Sequence, residues 1–439
     1  MLTVRSFNIL AQGFSGPFWY VNPDDISWIK RREHILVSLT SPSAAGCAPS
    51  VVCVQELQST SRGWGRLLSG VDGDDHAEWL RLKMASLGYE GIYAVNDDAA
   101  SSSKSEPKND AKRGVGNSRG KDGPNLCWPV ETVDGVGGRI GVAVFFKDAD
   151  YELVATKTVS FSQHFKRLTK DVKNVAAWER LSSWGVAIVA VLASRATGAL
   201  VCVANTHLPT PGAHDIESAV DSGPKEEKKE DAKGVIQQVQ FCEALCVEIA
   251  SMLKHLRLDS QVPVIITGDF NALPGSPAHE LLTRGSLKSD SPSLTPRLKK
   301  PRADGTDIIQ VPYSEPNCAG GGEFSSAYAE ASSGQEPEFT NFRRCRKTCA
   351  VTEDALSTPG DEVVVETPLF AGTLDYILAR NPPAGAEGYQ SGASTLELVR
   401  VDDLPPRSVI EAAPERALPS SVFPSDHLPL TATYRIVGH

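Results

Sequence analysis

The chain has 439 residues, a hydrophobic content of 41% and a formal net charge of −10 at pH 7. The apolar content suffices for a large buried core, and the negative charge argues against broad, non-specific binding to polyanions while leaving room for a local basic cleft. No apolar run is long enough to span a bilayer, and the N-terminus lacks the basic and apolar regions of a secretory signal. The nine cysteines fit a reducing compartment. We therefore expect an intracellular protein, in the cytoplasm or alternatively in the nucleus.

Apolar, β-branched runs predict nine strands, and amphipathic segments between them predict four helices. The strands are expected near 2–10, 51–56, 140–147, 184–193, 199–206, 263–268, 373–379, 395–401 and 428–436. The helices are expected near 27–39, 76–87, 233–256 and 276–283. Strands interleaved with helices indicate an α/β fold. Because the strand signals run from the first residues to the last, we expect a single domain over residues 1–439.

Four segments between these elements are poor in apolar residues and rich in Ser, Gly, Pro or charge. They cover residues 97–124, 214–233, 286–319 and 344–366. Low hydrophobicity leaves such segments without the means to form a packed core. We therefore expect mobile surface inserts at these places.

Polar side chains stand at or near the ends of several predicted strands. The strongest case is the segment VIITGDFNALPGSP, from Val264 to Pro277, where a buried strand ends on Asp269 and Asn271. Acids and amides rarely end a buried strand on one face unless they bind something. Other apolar segments carry a polar residue in the same way: Asn8, Glu56, His207, Asp375 and the pair Asp426–His427.

The order of these residues resembles that of the endonuclease/exonuclease/phosphatase superfamily. The sequence is most similar to its deadenylase branch, which includes the carbon-catabolite-repression deadenylases, nocturnin and the Angel proteins. The resemblance is carried by the blocks FNILAQ, VVCVQEL, LGYEGIYA, NTHL, GDFNALPGSP, FTNF, LFAGTLDYI and SDH. It implies a four-layer α/β sandwich, in which two mixed β-sheets are flanked by helices.

The resemblance also implies that water cleaves a phosphodiester with the help of Mg²⁺, with Mn²⁺ as a substitute. Glu56 is expected to be the principal metal ligand, because a carboxylate suits a hard cation. Asp269 is expected to orient or deprotonate the attacking water, or to bind a metal. Asn8 is expected at the metal, where it positions Glu56 or a water molecule. The simpler interpretations are a capping acid at Glu56 and an Asx turn at Asp269.

Five further residues are implied in phosphate contact and proton transfer. Asn271 is expected to donate its amide to the scissile phosphate. His427 is expected to act as an acid or as an electrostatic stabiliser, oriented by Asp375. Asp426 is expected near the metal or the water. His207 is expected to contact phosphate, with a buried structural histidine as the alternative.

The expected substrate residues lie around the same blocks. In the deadenylase branch an aromatic residue at the position of Phe370 stacks on a base, and simple core packing is the alternative. Arg343 and Arg344, followed by Arg346 and Lys347, form a basic cluster that suits an RNA backbone. A solvated insert face explains this cluster almost as well.

These observations favour a 3′-exoribonuclease that acts on RNA, with poly(A) tails as the expected substrate. Two alternatives stay open: a phosphatase acting on a small nucleotide or a 2′-phosphate ester, and a catalytically inactive RNA-binding or scaffold protein. Departures from the branch pattern at Ile140–Ala143 and Ser183–Val186 leave the base preference open. The sequence shows no leucine-rich repeats, so we expect no docking module of that kind. Because no apolar run is long enough to span a bilayer, we expect no membrane partner.

Overall fold

A computed structural model describes residues 1–14, 20–59, 75–95, 139–161, 185–210, 232–258, 261–287, 323–344, 346–350, 362–366, 369–382 and 393–438. Within these residues two six-stranded β-sheets face each other across a shared apolar core. Helices pack on the outer face of each sheet.

The first sheet has the strand order β15–β16–β1–β2–β4–β3. Its strands are β1 (Leu2–Asn8), β2 (Val51–Ser59), β3 (Tyr89–Val95), β4 (Arg139–Lys147), β15 (Ser394–Val401) and β16 (Leu430–Gly438). The pair β1 and β2 is parallel and the other pairs are antiparallel, so this sheet is mixed. It joins the first strand of the chain directly to the last.

The second sheet has the strand order β5–β6–β7–β8–β14–β9. Its strands are β5 (Tyr151–Ser160), β6 (Val186–Ser194), β7 (Leu200–His207), β8 (Val264–Asp269), β9 (Ser325–Ser326) and β14 (Asp375–Arg380). Here β7 and β8 are the parallel pair, and the remaining pairs are antiparallel. Each sheet thus contributes one parallel pair whose carboxyl ends lie side by side.

Two short antiparallel pairs and six α-helices complete the described elements. The pairs are β10 (Asn341–Arg343) with β13 (Phe370–Gly372), and β11 (Arg346–Ala350) with β12 (Glu362–Glu366). The helices are α1 (Trp28–Thr40), α2 (His76–Ser86), α3 (Ala232–His255), α4 (Pro277–Arg284), α5 (Ala327–Ala331) and α6 (Arg407–Glu411). A 3₁₀ turn spans Gln12–Phe14.

The four layers explain why most strands are apolar on both faces. In β2, Val51 and Cys53 belong to the core between the sheets, whereas Val52 and Val54 pack toward α1 and α2. The helices α3 and α4 cover the outer face of the second sheet in the same way. A sheet that is covered on both sides buries both sets of alternating side chains. The predicted α/β sandwich of two mixed sheets flanked by helices is confirmed.

The nine predicted strands and four predicted helices are all present, with ends that shift by a few residues. Seven strands were missed. Among them β3 is interrupted by Gly91, and β5 is an edge strand whose outer positions are polar, so both have a weaker apolar signal. The other five are two to five residues long, too short for a periodicity to register.

The predicted inserts lie largely outside the described residues. Residues 97–124 do so completely, and 214–233 and 286–319 do so except at their margins. Within 344–366 the strands β11 and β12 form an antiparallel pair where we predicted a loop. Their sequences, RKTCA and EVVVE, contain β-branched residues that favour a strand once a partner is adjacent. Among the described helices, none combines the length and the hydrophobicity needed to cross a bilayer.

Candidate active site

The predicted site residues converge on one edge of the sandwich because of the strand directions. In the first sheet the parallel register places Asn8 opposite Gln55, next to Glu56. In the second sheet the parallel register places His207 opposite Asp269. The antiparallel strand β14 begins at Asp375, directly opposite Asp269. Residues far apart in the chain thus reach one small volume.

Asn8 holds the two central carboxylates together. Its amide nitrogen donates to Glu56 Oε1 and to Asp269 Oδ2, both over 2.9 Å. Its amide oxygen accepts from the main-chain nitrogen of Leu10 over 3.0 Å. The second oxygen of Glu56 accepts from the nitrogen of Ala11 over 2.8 Å. Asn8 thus holds the carboxylates of Glu56 and Asp269 side by side.

The cluster has the donors and spacing of a cation site. One ligand atom each from Glu56, His207 and Asp269 lies within 4.8 Å of the others, and the same holds for Asp269, Asp375 and His427. Burial raises the pKa of Asp269, with a smaller contribution from nearby Asp375, while the two histidines act in the opposite direction. A buried carboxylate of this kind gains from a neighbouring positive charge. Acidic and histidine side chains able to hold a divalent cation are therefore assembled here.

His207 and Asn271 form one wall of this cluster. His207 Nε2 lies 3.5 Å from Asp269 Oδ2 and 3.8 Å from Glu56 Oε1. Asn271 Nδ2 lies 3.2 Å from His207 Nε2 and donates to the carbonyl of Leu208 over 2.7 Å. The nitrogen of Asn271 also donates to Asp269 Oδ1 over 2.8 Å, which is the predicted Asx turn. This turn places the side-chain amide of Asn271 beside His207.

His427 forms the opposite wall. Its Nδ1 lies 2.7 Å from Asp375 Oδ2, and its Nε2 lies 3.5 Å from Asp269 Oδ2 and 3.9 Å from Asp426 Oδ2. Burial alone would lower the pKa of His427, but the three carboxylates outweigh it and raise the pKa to about 10. Thr340 Oγ1 donates to the same oxygen of Asp375 over 2.6 Å. The structure thus supplies the orienting carboxylate that the sequence assigned to His427.

Three of the six non-glycine residues with positive φ in the described part of the chain lie at this site. Leu10, Glu56 and Asn271 have positive φ angles of 58°, 59° and 47° although none is glycine. Gly268 has a φ of 146°, and a Cβ there would lie 1.9 Å from the carbonyl oxygen of Thr206. Non-glycine residues hold such conformations only where the surroundings fix them, which is common at active sites.

Two neighbours of the site were not predicted as site residues. Asn341 is fully buried, and its amide donates to Asp426 Oδ2 over 3.0 Å. Thr340 fixes Asp375 and also accepts from the nitrogens of Leu374 and Asp375. Both belong to the FTNF block, so the resemblance carried a signal for them. Their spatial role was hidden because Asn341 pairs with His427 across a long stretch of sequence.

The predicted substrate residues differ in how close they come to this cluster. Arg343 and Phe370 are register partners on β10 and β13, and the guanidinium lies 5.7 Å from the centre of the ring. Arg343 Nη1 also lies 3.6 Å from Asp426 Oδ2. Arg344 is half-buried just after β10, and its main-chain nitrogen lies 3.5 Å from Tyr20 Oη. Substrate binding by these side chains stays a prediction.

Comparisons with known proteins show which proteins this chain is similar to. The family model described as "Endonuclease/Exonuclease/phosphatase family" matches residues 247–427. The chain is 24% identical over 443 residues to the CCR4-Not complex 3′-5′-exoribonuclease subunit Ccr4 of Aspergillus niger, covering 100% of this chain and 52% of that protein. It is 24% identical over 448 residues to carbon catabolite repressor protein 4 homolog 1 of Arabidopsis thaliana, covering 99% and 57%.

The chain therefore spans about half the length of the curated relatives that it matches. Among solved structures, ANGEL2, a 2′,3′-cyclic phosphatase, in complex with adenosine-2′,3′-vanadate aligns with a TM-score of 0.57 and 19% identity, covering 99% of this chain and 95% of that one. This likeness shows that the fold is shared. The chain is therefore similar to the endonuclease/exonuclease/phosphatase family, whose model matches residues 247–427, and its similarity to the Ccr4 proteins extends over the whole chain.

Proposed function

We propose that this chain is a Mg²⁺-dependent phosphodiesterase that removes nucleotides from the 3′ end of RNA, with poly(A) tails as its substrate and Mn²⁺ as a substitute metal. The observation that carries the proposal is the buried cluster of Asn8, Glu56 and Asp269, flanked by His207 on one side and His427 on the other. Phosphoryl transfer needs this combination of an anionic metal site, a group that positions water, and donors for the phosphate.

The donor set fits a hard divalent cation. Glu56 and Asp269 supply carboxylate oxygens, and Asn8 keeps these like charges close by donating to both. Carboxylate oxygens are the ligands that Mg²⁺ and Mn²⁺ favour. When bound, the cation would offset the charge of the phosphate and polarise it as a Lewis acid.

The side chains around Asp269 supply the remaining parts of hydrolysis. Asp269 orients a water molecule and accepts one of its protons while the water oxygen forms a bond to phosphorus. The bond from phosphorus to the 3′ oxygen of the preceding nucleotide breaks, and protonated His427 donates a proton to this oxygen. Asn271 and His207 donate hydrogen bonds to the phosphate oxygens. The products are a nucleoside 5′-monophosphate and an RNA with a free 3′ hydroxyl.

The substrate side of the proposal rests on Phe370 and Arg343. The ring of Phe370 stacks on a base of the tail, and Arg343 lies against this ring and supplies positive charge near the RNA backbone. This local charge matters because the chain as a whole carries −10. Arg344 adds to the same basic rim.

The sequence relatives favour RNA over a small phosphate ester. Proteins that match along this whole chain are named 3′-5′-exoribonuclease subunits of the CCR4-Not complex. We extend that activity to this chain, and the single domain over residues 1–439 remains part of the proposal. Cys47, Cys53 and Cys202 are free thiols, which fits an intracellular site of action, in the cytoplasm or alternatively the nucleus.

The proposal is tested with a gel time course of purified protein, Mg²⁺ and 5′-labelled RNA that ends in an A-tail. The same RNA with a non-A tail runs beside it. Asp269→Ala removes the central carboxylate, and Asp402→Asn is the matched control because Asp402 contacts Arg5 and Ala44 outside the site.

Stepwise shortening that stops at the tail boundary, lost in Asp269→Ala and kept in Asp402→Asn, is the expected result. Shortening of both RNAs would correct the substrate to RNA 3′ ends in general. Shortening that persists in Asp269→Ala would overturn the proposal. Release of phosphate from a nucleotide 2′-phosphate or cyclic phosphate, without shortening of either RNA, would replace it with the phosphatase alternative.

A further inference from the structure

Arg31 is a buried cation that the proposed chemistry does not use. It lies on α1, and only 2% of its surface is exposed. Its guanidinium donates to four main-chain carbonyls: Ile9 at 2.8 Å, Leu10 at 2.9 Å, Ile26 at 2.9 Å and Pro424 at 2.8 Å. A guanidinium whose hydrogen bonds all go to main-chain carbonyls holds the backbone in place and does not form an ion pair with one acid.

Two of these carbonyls belong to peptide groups whose nitrogens bind the site. The peptide between Ile9 and Leu10 has its oxygen on Arg31 and its nitrogen on Asn8 Oδ1, at 2.8 and 3.0 Å. The peptide between Leu10 and Ala11 has its oxygen on Arg31 and its nitrogen on Glu56 Oε2, at 2.9 and 2.8 Å. A trans peptide is planar with its oxygen and hydrogen on opposite sides. The guanidinium therefore sets the direction in which each N–H points.

The carbonyl of Pro424 connects Arg31 to the C-terminal part of the chain. Pro424 precedes Ser425, whose hydroxyl donates to the carbonyl of Asn8 over 2.7 Å. The nitrogen of His427 in turn donates to Ser425 Oγ over 3.2 Å. Arg31 thus joins the end of β1 to the loop that carries His427.

We infer that Arg31 is a positioning residue for the metal site, acting through the Ile9–Leu10 and Leu10–Ala11 peptide groups on Asn8 and Glu56. The inference rests on the proposed function, because it assumes that Glu56 and Asp269 hold a divalent cation. Hydrogen bonds in series polarise one another, so a guanidinium on each carbonyl also makes each N–H a stronger donor. The strained φ of 58° at Leu10 shows that this backbone path needs external support.

Charge and geometry make opposite predictions for this residue. Burial lowers the pKa of Arg31 to about 10, opposed by Asp426 and Glu56, so the side chain is still cationic at neutral pH. A positive charge near the site would by itself weaken the binding of a cation, and its removal would strengthen binding. Loss of the positioning bonds would weaken binding instead. Arg31→Lys separates the two effects, because it keeps the charge and loses the planar fork.

Arg5 offers a matched control. It is also buried, with 5% of its surface exposed, and it also ties α1 to the first sheet. Its guanidinium donates to the carbonyls of Ser38 and Ser41 and to Thr431 Oγ1, at 2.8, 2.9 and 2.9 Å. Ser38 and Ser41 lie at the C-terminal end of α1, and Thr431 lies on β16. Arg5→Lys therefore disturbs the same helix to a similar degree without touching Asn8 or Glu56.

The experiment measures Mn²⁺ binding by calorimetry and by the electron paramagnetic resonance of the free ion, with thermal melting as a check of folding. Arg31→Lys, Arg31→Gln and Arg5→Lys are compared with the unaltered protein and with Glu56→Gln. We expect both Arg31 variants to bind Mn²⁺ about 10–100-fold more weakly, the range seen when supports of metal ligands are removed. We expect Arg5→Lys to bind Mn²⁺ normally even where its melting temperature falls.

Normal Mn²⁺ affinity in either folded Arg31 variant would overturn the inference, as would an equal loss in Arg5→Lys. The use of two substitutions at Arg31 keeps the test decisive if one of them fails to fold. Failure of the unaltered protein to bind Mn²⁺, with no difference from Glu56→Gln, would instead overturn the proposed function and this inference together. The readout needs no RNA, so the two failures are distinguishable.

Discussion

Replacement of Asp375 by asparagine removes one charge from the site and leaves its shape almost unchanged. Asp375 Oδ2 accepts from His427 Nδ1 at 2.7 Å and from Thr340 Oγ1 at 2.6 Å, and the residue is 3% exposed. The amide oxygen of the introduced asparagine would keep an acceptor for both donors. The variant therefore isolates what the carboxylate charge contributes to His427.

The expected effect on stability follows from the pairing. Three carboxylates raise the pKa of His427 from 6.5 to about 10, and Asp375 is the largest of their contributions. Loss of one partner from a buried charged pair costs about 3–5 kcal/mol, and the hydrogen bonds that asparagine keeps should hold the loss near the lower end, about 3 kcal/mol. Because the pKa of His427 is raised in the folded state, protonation of His427 stabilises the fold. This stabilisation is fully present below pH 6.5 and is lost as the pH rises through about 10.

The expected effect on catalysis is a fall in kcat of about 10²–10⁴-fold, the range for loss of an acid–base group. KM should change little, because the carboxylate of Asp375 contacts His427 and Thr340 and has no role in the proposed binding of RNA by Phe370 and Arg343. Urea unfolding in chelator, at neutral pH and at about pH 10, measures the stability difference. Single-turnover RNA shortening measures the chemical step.

Two results would refute this reasoning. One is a variant whose kcat stays within tenfold of the unaltered protein, since His427 would then need no carboxylate partner. The other is a stability loss with rising pH that is as steep in the variant as in the unaltered protein. Asp402→Asn, a carboxylate outside the site, controls for a general change in charge.

Three further predictions test other parts of the site. Glu56→Gln should abolish saturable Mn²⁺ binding in calorimetry while the fold persists, and Mn²⁺ binding retained by this variant would exclude Glu56 as a ligand. Metal removal by chelator should abolish RNA shortening in the unaltered protein. Gly268→Ala should destabilise the fold by about 3 kcal/mol or more in urea unfolding, because its Cβ would lie 1.9 Å from the oxygen of Thr206, and a loss under about 1 kcal/mol would contradict this. Phe370→Ala should remove about 1–3 kcal/mol of base stacking and therefore raise KM for A-tailed RNA in a substrate titration. Phe370→Trp should retain the stacking and leave KM unchanged.

The sequence by itself determined the layers and the identity of most site residues. Strands such as β2, β7 and β8 are apolar at successive positions, and this pattern requires a sheet that is covered on both faces. β7 and β8 end on His207 and Asp269, and β2 carries Glu56 three residues before its end, and a buried strand would otherwise avoid such polar residues. Glu56, His207 and Asp269 could therefore be selected before any distance was known, and the family resemblance added their order.

The tertiary structure determined which hydrogen bonds those residues form. Asn8 was expected to position Glu56 or a water molecule, and in the structure its amide nitrogen donates to both Glu56 and Asp269 while its oxygen accepts from Leu10. Arg31 gave no sequence signal of its own, and Asn341 was marked only by the FTNF block, because each acts on residues far away in the chain, Pro424 and Asp426 respectively.

Such contacts depend on strand order and register, which place β1, β2, β8 and the segment 424–427 at one edge of the sandwich. Local propensity and periodicity extend over a few residues only, whereas the site is built from pairings between strands that lie far apart in the chain. The chemistry was therefore visible in the sequence, and its geometry became visible only once the two sheets had packed.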